Sequence, residues 1–190
     1  MLPFTLERSH TGLLIIDVQD KVFASVERGA EVLQAIFKVV KGFETLQLPI
    51  FLSEQYPQGL GETLIPLKTL LGDTYCPWTK TTFSCMDDKA LREHILALPI
   101  QQWVLVGIEA HICVLQTAKG LVQAGKQVTV LNDAIASRSI YEFSTGIAEM
   151  RDSGIRISCV ETILFELVKD SRAQEFKSIS QLIKSCCCEC

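Results

Sequence analysis

The stretch WVLVGIEAHICVLQTAKGLVQAG, residues 103–125, decides how the rest of the chain is read. Residues 103–106 form a short, apolar, β-branched run stopped by Gly107, which predicts a buried strand and not a helix. Val114, Leu115, Ala118, Leu121 and Val122 then recur at helical spacing, and Gly125 stands where a left-handed C-terminal cap ends a helix. Cys113 therefore falls in the first helical turn, just beyond the carboxyl end of a strand. An isolated cysteine is most often a small buried hydrophobe. At a helix start, however, the free N–H groups and the positive dipole end favour an anion, so this thiol is expected to shift towards its thiolate.

Working outward, the same alternation recurs. Residues 13–16, LLII, suit a strand covered on both faces, and it ends at Asp17. Leu33, Ile36, Phe37, Val40 and Phe43 mark an amphipathic helix, and Pro49 precedes a second strand at 50–53. Residues 54–61 form a glycine and proline loop, followed by an irregular helical piece at 64–71. A short strand is expected around Lys80, then a helix capped by Asp87 or Asp88 and closed by Pro99. Residues 127–131 give a fifth strand and 155–160 a last one. Ser139 with Glu142, and Ser171 with Gln174, have the spacing of capping boxes that open two more helices. Strands alternating with helices predict an α/β fold: a doubly wound parallel sheet of about six strands, with helices on both faces.

At 190 residues the chain suits one domain, residues 1–185, with a cysteine-rich tail at 186–190. Hydrophobic residues make up 48% and charged residues 21%, a composition for a packed core and against disorder. A formal charge of -4, with no Lys/Arg-rich run, argues against nucleic acid or an anionic membrane as partner and for a small molecule. The first residues lack a basic segment followed by a long apolar one, so a cytoplasmic protein is expected. Of eight cysteines, four stand at the very end and the rest show no framework spacing, which predicts reduced thiols and a frayed tail.

In open α/β sheets ligands bind beyond the carboxyl ends of the strands, which singles out Asp17, Lys80 and Cys113. A thiol nucleophile needs a base, a role for Asp17, and an ammonium such as Lys80 would steady both anions. LLIIDVQ at 13–19, KTTFSC at 80–85 and VGIEAHICVLQTA at 106–118 together resemble the isochorismatase-like cysteine hydrolase family over nearly the whole chain. The resemblance implies an Asp17, Lys80, Cys113 catalytic triad and a non-prolyl cis peptide between Ile108 and Glu109. It also implies an oxyanion hole from the backbone N–H groups of Glu109 and Cys113, with the Glu109 side chain incidental, and a homodimer or tetramer.

Nicotinamidase-type relatives hold a metal with an Asp and two His after the second strand. This chain has SEQYPQGLG at 53–61 and no histidine between His10 and His94, so no metal or cofactor is expected. Its TEQYP-like segment places it nearer the family branch without a settled substrate. Phe23 and Tyr56, which follow the first two strands, are candidates for the substrate wall, while His10, His94 and His111 are given structural roles. The expected function is a cysteine hydrolase cleaving an amide, or an ester or enol ether, of a small polar metabolite. The alternatives are a nicotinamidase-type amidase, a thiol redox or metal-handling protein using the tail, and a silent scaffold.

Overall fold

The computed structural model describes residues 4–185. In chain order its elements are β1 (Thr11–Ile16), α1 (Asp20–Phe23), α2 (Gly29–Thr45), β2 (Ile50–Gln55), α3 (Pro57–Leu60), α4 (Ile65–Leu71), β3 (Trp78–Lys80) and α5 (Lys89–Ala97). There follow β4 (Gln102–Ile108), α6 (Leu115–Gln123), β5 (Gln127–Ala136), α7 (Ile140–Asp152), β6 (Arg156–Ser158), α8 (Val160–Val168) and α9 (Phe176–Lys184). The strands form one sheet in the order β3-β2-β1-β4-β5-β6, and every neighbouring pair is parallel.

Strand alternation sorts the apolar residues into two cores. Leu13 and Ile15 of β1 face a core built with α2, α4, α8 and α9, through Ile36, Phe43, Leu67, Leu164 and Ile179. Leu14 and Ile16 face the opposite core, with Leu91 and Ile95 of α5, Leu121 of α6 and Met150 of α7. A strand buried on both faces must be apolar throughout, which is why the sequence shows a run here and no alternation.

The order reverses between β1 and β4, since β2 and β3 continue one way from β1 while β4 opens the other side. A crevice opens at such a switch point beyond the strand ends. Gly107 makes the approach possible: it sits at φ 120°, and a Cβ there would lie 2.0 Å from the carbonyl oxygen of Ile16, its partner in register.

Several local expectations change. β2 runs on to Gln55, and β5 runs on to Ala136 through a bulge. The bulge lets Asp133 accept both carboxylate bonds from the Val160 N–H and start α8. The expected strand at 155–160 therefore stops at Ser158. Ser139 accepts from the Tyr141 N–H and its hydroxyl bonds the Glu142 carboxylate, so it caps α7 without the reciprocal box. Ser171 caps nothing, because α9 begins at Phe176, with Glu175 at its N-cap and no side-chain bond. No helix among the described residues is long and apolar enough to cross a membrane. The expectation of a frayed tail at 186–190 lies outside the described residues.

Candidate active site

Asp17 follows β1 in a left-handed conformation, φ 52°, and its N–H bonds the carbonyl of Ser53. That turn places the carboxylate at the switch point of the sheet, where it is only 1% exposed. Lys80, the last residue of β3, reaches across with Nζ 2.6 Å from Asp17 Oδ2, and the two side chains are 0% and 2% exposed. The ammonium also donates to Gln55 Oε1 at 2.7 Å and to the carbonyls of Phe83 at 3.0 Å and Thr82 at 3.2 Å. Ser53 Oγ donates to Asp17 Oδ1 at 2.8 Å. A buried charge pair survives only when its remaining donors and acceptors are met, as they are here.

Cys113 comes from the other side of the switch point. Residues Ala110–Val114 make a wide turn in which the Val114 N–H reaches back five residues to the Glu109 carbonyl, which also accepts from Ile112. The Ile108–Glu109 peptide before it is cis. Cys113 is buried, close enough to Asp17 and Lys80 for its thiol to feel both charges. Burial pushes the thiol up from its ordinary value, the negative charge of Asp17 adds to the rise, and the positive charge of Lys80 only partly opposes it. The sequence-based expectation of a shift towards the thiolate is thus reversed in direction: burial and the charge of Asp17 favour the protonated thiol.

Of the three sequence-predicted residues, Asp17 and Lys80 are in direct contact, and Cys113 lies within range of their charges. The side chains that steady them escaped the sequence reading. Ser53 and Gln55 lie two apart on β2, so both face the site; ending the expected strand at Ser53 places Gln55 in the loop. Gln55 also donates from Nε2 to Thr81 O, and its own N–H bonds Gln19 Oε1. Cys85 is a second thiol, fully buried, whose backbone N–H bonds Thr117 Oγ1 and whose thiol is raised to about 11, chiefly by burial.

Phe23 lays its ring against Gly29 at the start of α2 and is partly buried in the core there. Tyr56 is 52% exposed and lines an open hollow with Pro57, Thr79, Lys80 and Asp88. His94 meets the ring of Trp78 edge-on, and His111 bonds Ser137. A metal does not fit residues 53–61. Glu54 is buried and its Oε1 already accepts from Thr63 N, Thr63 Oγ1 and Tyr75 OH, and no cluster of three ligating side chains occurs among the described residues.

A model of the isochorismatase domain matches residues 11–162. Human isochorismatase domain-containing protein 2 is 35% identical over 173 residues, which span 90% of this chain and 82% of that protein. A solved structure of the MAR1 ribonuclease of Caenorhabditis elegans is 30% identical, with a TM-score of 0.88 over 96% of this chain and 93% of that one. The YcaC gene product of Escherichia coli, described as an octameric hydrolase of unknown specificity, shares the fold at 18% identity, with a TM-score of 0.88 over 96% of this chain and 91% of its own. With a domain match over most of its length and a relative 35% identical across 90% of it, the chain belongs to the isochorismatase domain family.

Proposed function

We propose that this protein is a cysteine hydrolase that opens an amide bond, or an ester or enol ether, of a small polar metabolite, with Asp17, Lys80 and Cys113 as its catalytic triad. The observation that carries the reading is the buried Asp17–Lys80 pair, 2.6 Å apart, whose charges act on the buried Cys113 thiol. Asp17 takes the thiol proton as sulfur attacks the substrate carbonyl, forming the C–S bond. The N–H groups of Glu109 and Cys113 receive the negative charge on the carbonyl oxygen. Asp17 then returns the proton to the departing nitrogen as the C–N bond breaks, leaving a thioester on Cys113. Water attacks that thioester, giving its proton through Asp17 to the leaving sulfur and releasing the acid. Lys80, held by Gln55 and two carbonyls, keeps Asp17 oriented throughout.

This chemistry routes no step through a metal, and the engaged carboxylate of Glu54 supports that assignment over a nicotinamidase-type site. The C. elegans relative is described as a ribonuclease, but a chain with a formal charge of -4 is poorly suited to a polyanion. The exposed Ile140 and Tyr141, 58% and 80%, favour self-association, so the reading includes a homo-oligomer. A panel of small amides assayed for ammonia release tests the activity. Intact mass after quenching should show an acyl adduct on Cys113, with none in Cys113→Ala. Metal-dependent turnover in protein lacking residues 186–190, lost on chelation and restored by the ion, would refute the metal-free mechanism.

A further inference from the structure

The turn that carries the nucleophile is tied down from outside at two points. Glu109 Oε1 accepts from Arg138 Nε at 2.8 Å, and the two side chains are 13% and 57% exposed. Two residues further on, His111 Nδ1 lies 2.9 Å from Ser137 Oγ. Ser137 is buried, and its carbonyl accepts from the Glu27 N–H, so it is itself anchored. Residues 137 and 138 follow directly on β5, where Ala136 pairs with Ile108, the residue before the cis peptide. Behind the turn, α7 packs so closely that a Cβ on Gly146 would lie 3.1 Å from the Cα of His111. Alternate residues of the nucleophile turn are thus bonded to successive residues of one strap.

Such ties add little to stability, because an ion pair with one exposed partner contributes about 1 kcal/mol or less. Their value lies in geometry. The turn is wider than an α-helical one and hangs two N–H groups on the single Glu109 carbonyl, so its own bonds define its orientation loosely. Misplacing reacting groups by about 1 Å can cost on the order of a hundredfold in rate. We propose that Ser137 and Arg138 are positioning residues that clamp His111 and Glu109, and so aim the N–H groups of the nucleophile turn at the carbonyl oxygen that Cys113 attacks. This rests on the acyl-transfer reading above, and it gives the Glu109 side chain a task that sequence comparison assigned only to its backbone.

Two reactions at Cys113 separate aim from mere reactivity. Acylation by p-nitrophenyl acetate develops an oxyanion and needs the aimed N–H groups. Alkylation by iodoacetamide develops none and needs only the thiol. Both rates are read at the Cys113 peptide by mass spectrometry. Ser137→Ala and Arg138→Ala should each lower acylation about tenfold or more while alkylation stays within about threefold. His111→Asn, whose amide can sit where Nδ1 does, should keep acylation within about threefold of wild type, and His111→Ala should not. Lys119→Ala, which breaks the Lys119–Glu149 pair between α6 and α7, should leave the ratio unchanged. Ser137→Ala loses only a hydroxyl, so the test stands even if the arginine variant folds poorly. An unchanged ratio in the strap variants, or an equal fall in Lys119→Ala, would overturn the inference. Absence of acylation in the wild type would instead overturn the hydrolase reading, and the strap with it.

Discussion

The two ends of the sheet both bury polar groups, yet they bury them in different company. At the amino end Lys126 is 6% exposed and donates to the carbonyl of Ile100 at 2.8 Å and to Gln101 Oε1 at 3.2 Å. Beside it Gln102 bonds Thr5 O, Gln127 Oε1, Thr11 Oγ1 and the Glu7 N–H. Each partner is neutral, and the bonds tie the first residues of the chain to β4 and β5. At the carboxyl end a full charge pair is buried with two thiols whose protonated forms burial favours. Burial alone therefore does not mark a site. What marks it is charge kept beside a group that can exchange a proton.

The widest gap between the two ends should appear when the sulfur is removed. Cys113→Ala should lower turnover on the order of 10⁴-fold or more. Its unfolding temperature should stay within a few degrees of wild type, because the loss is one small side chain. Residual turnover near the wild-type rate, measured on the amide that the panel selects, would remove Cys113 from the mechanism.

Next in size is Lys80→Met, which leaves the Asp17 carboxylate buried without its cation. Breaking a buried pair from one side costs roughly 3 to 5 kcal/mol. Urea unfolding should show that loss, and activity per folded molecule should fall as well, since Asp17 loses the partner that orients it. A variant as stable as wild type would mean that Asp17 is screened by something other than Lys80.

Cys85 sharpens the comparison through pH. Its folded value, about 11, lies above the ordinary 9.0, mainly because burial disfavours the thiolate. A raised value means that the unfolded chain releases its proton first as pH climbs. The associated stability is complete below about 9 and is lost as pH rises towards about 11, at ~1.4 kcal/mol per unit, so roughly 2 to 3 kcal/mol in all. Cys113, also raised, adds to the slope in the same direction. Denaturant melts between pH 7 and 10.5 should therefore be shallower in their pH dependence for Cys85→Ala than for wild type. Equal slopes would show that this thiol does not titrate against the fold.

Asp17, Lys80 and Cys113 could be picked out as candidates because a parallel sheet delivers every strand end to one rim, and the family resemblance then joined them into one site. Ser53 and Gln55 were not, since in SEQYPQGLG polar residues at the end of a strand look like the loop that follows. The signal available was their two-residue spacing behind an apolar start. α8 was missed, although Val160, Ile163, Leu164, Leu167 and Val168 recur at helical spacing, because the expected strand at 155–160 runs on to Val160. The upward shift of the Cys113 thiol was out of reach, because it depends on how deeply the thiol is buried and on the charge of Asp17, neither of which spacing fixes. The tie between residues 109–111 and 137–138 joins segments 26 and 29 apart, a separation with no local signature.

The smallest effect belongs to the amino end. Lys126→Met keeps most of the apolar stem and removes only the ammonium. The Ile100 carbonyl then loses its 2.8 Å donor and Gln101 Oε1 its 3.2 Å one. An unmet buried acceptor costs roughly 1 to 3 kcal/mol, but deleting the lysine also relieves the expense of holding a cation out of water. No carboxylate is left stranded, because none was paired with it, so the net loss should be about 1 to 2 kcal/mol, below that of Lys80→Met. Turnover per folded molecule should match wild type, since the change lies at the opposite rim from Cys113. Urea titrations of both lysine variants, run side by side with activity normalised to folded protein, decide the matter. If Lys126→Met cost as much stability as Lys80→Met, or lowered turnover at all, the two rims would not be the separate electrostatic environments described above.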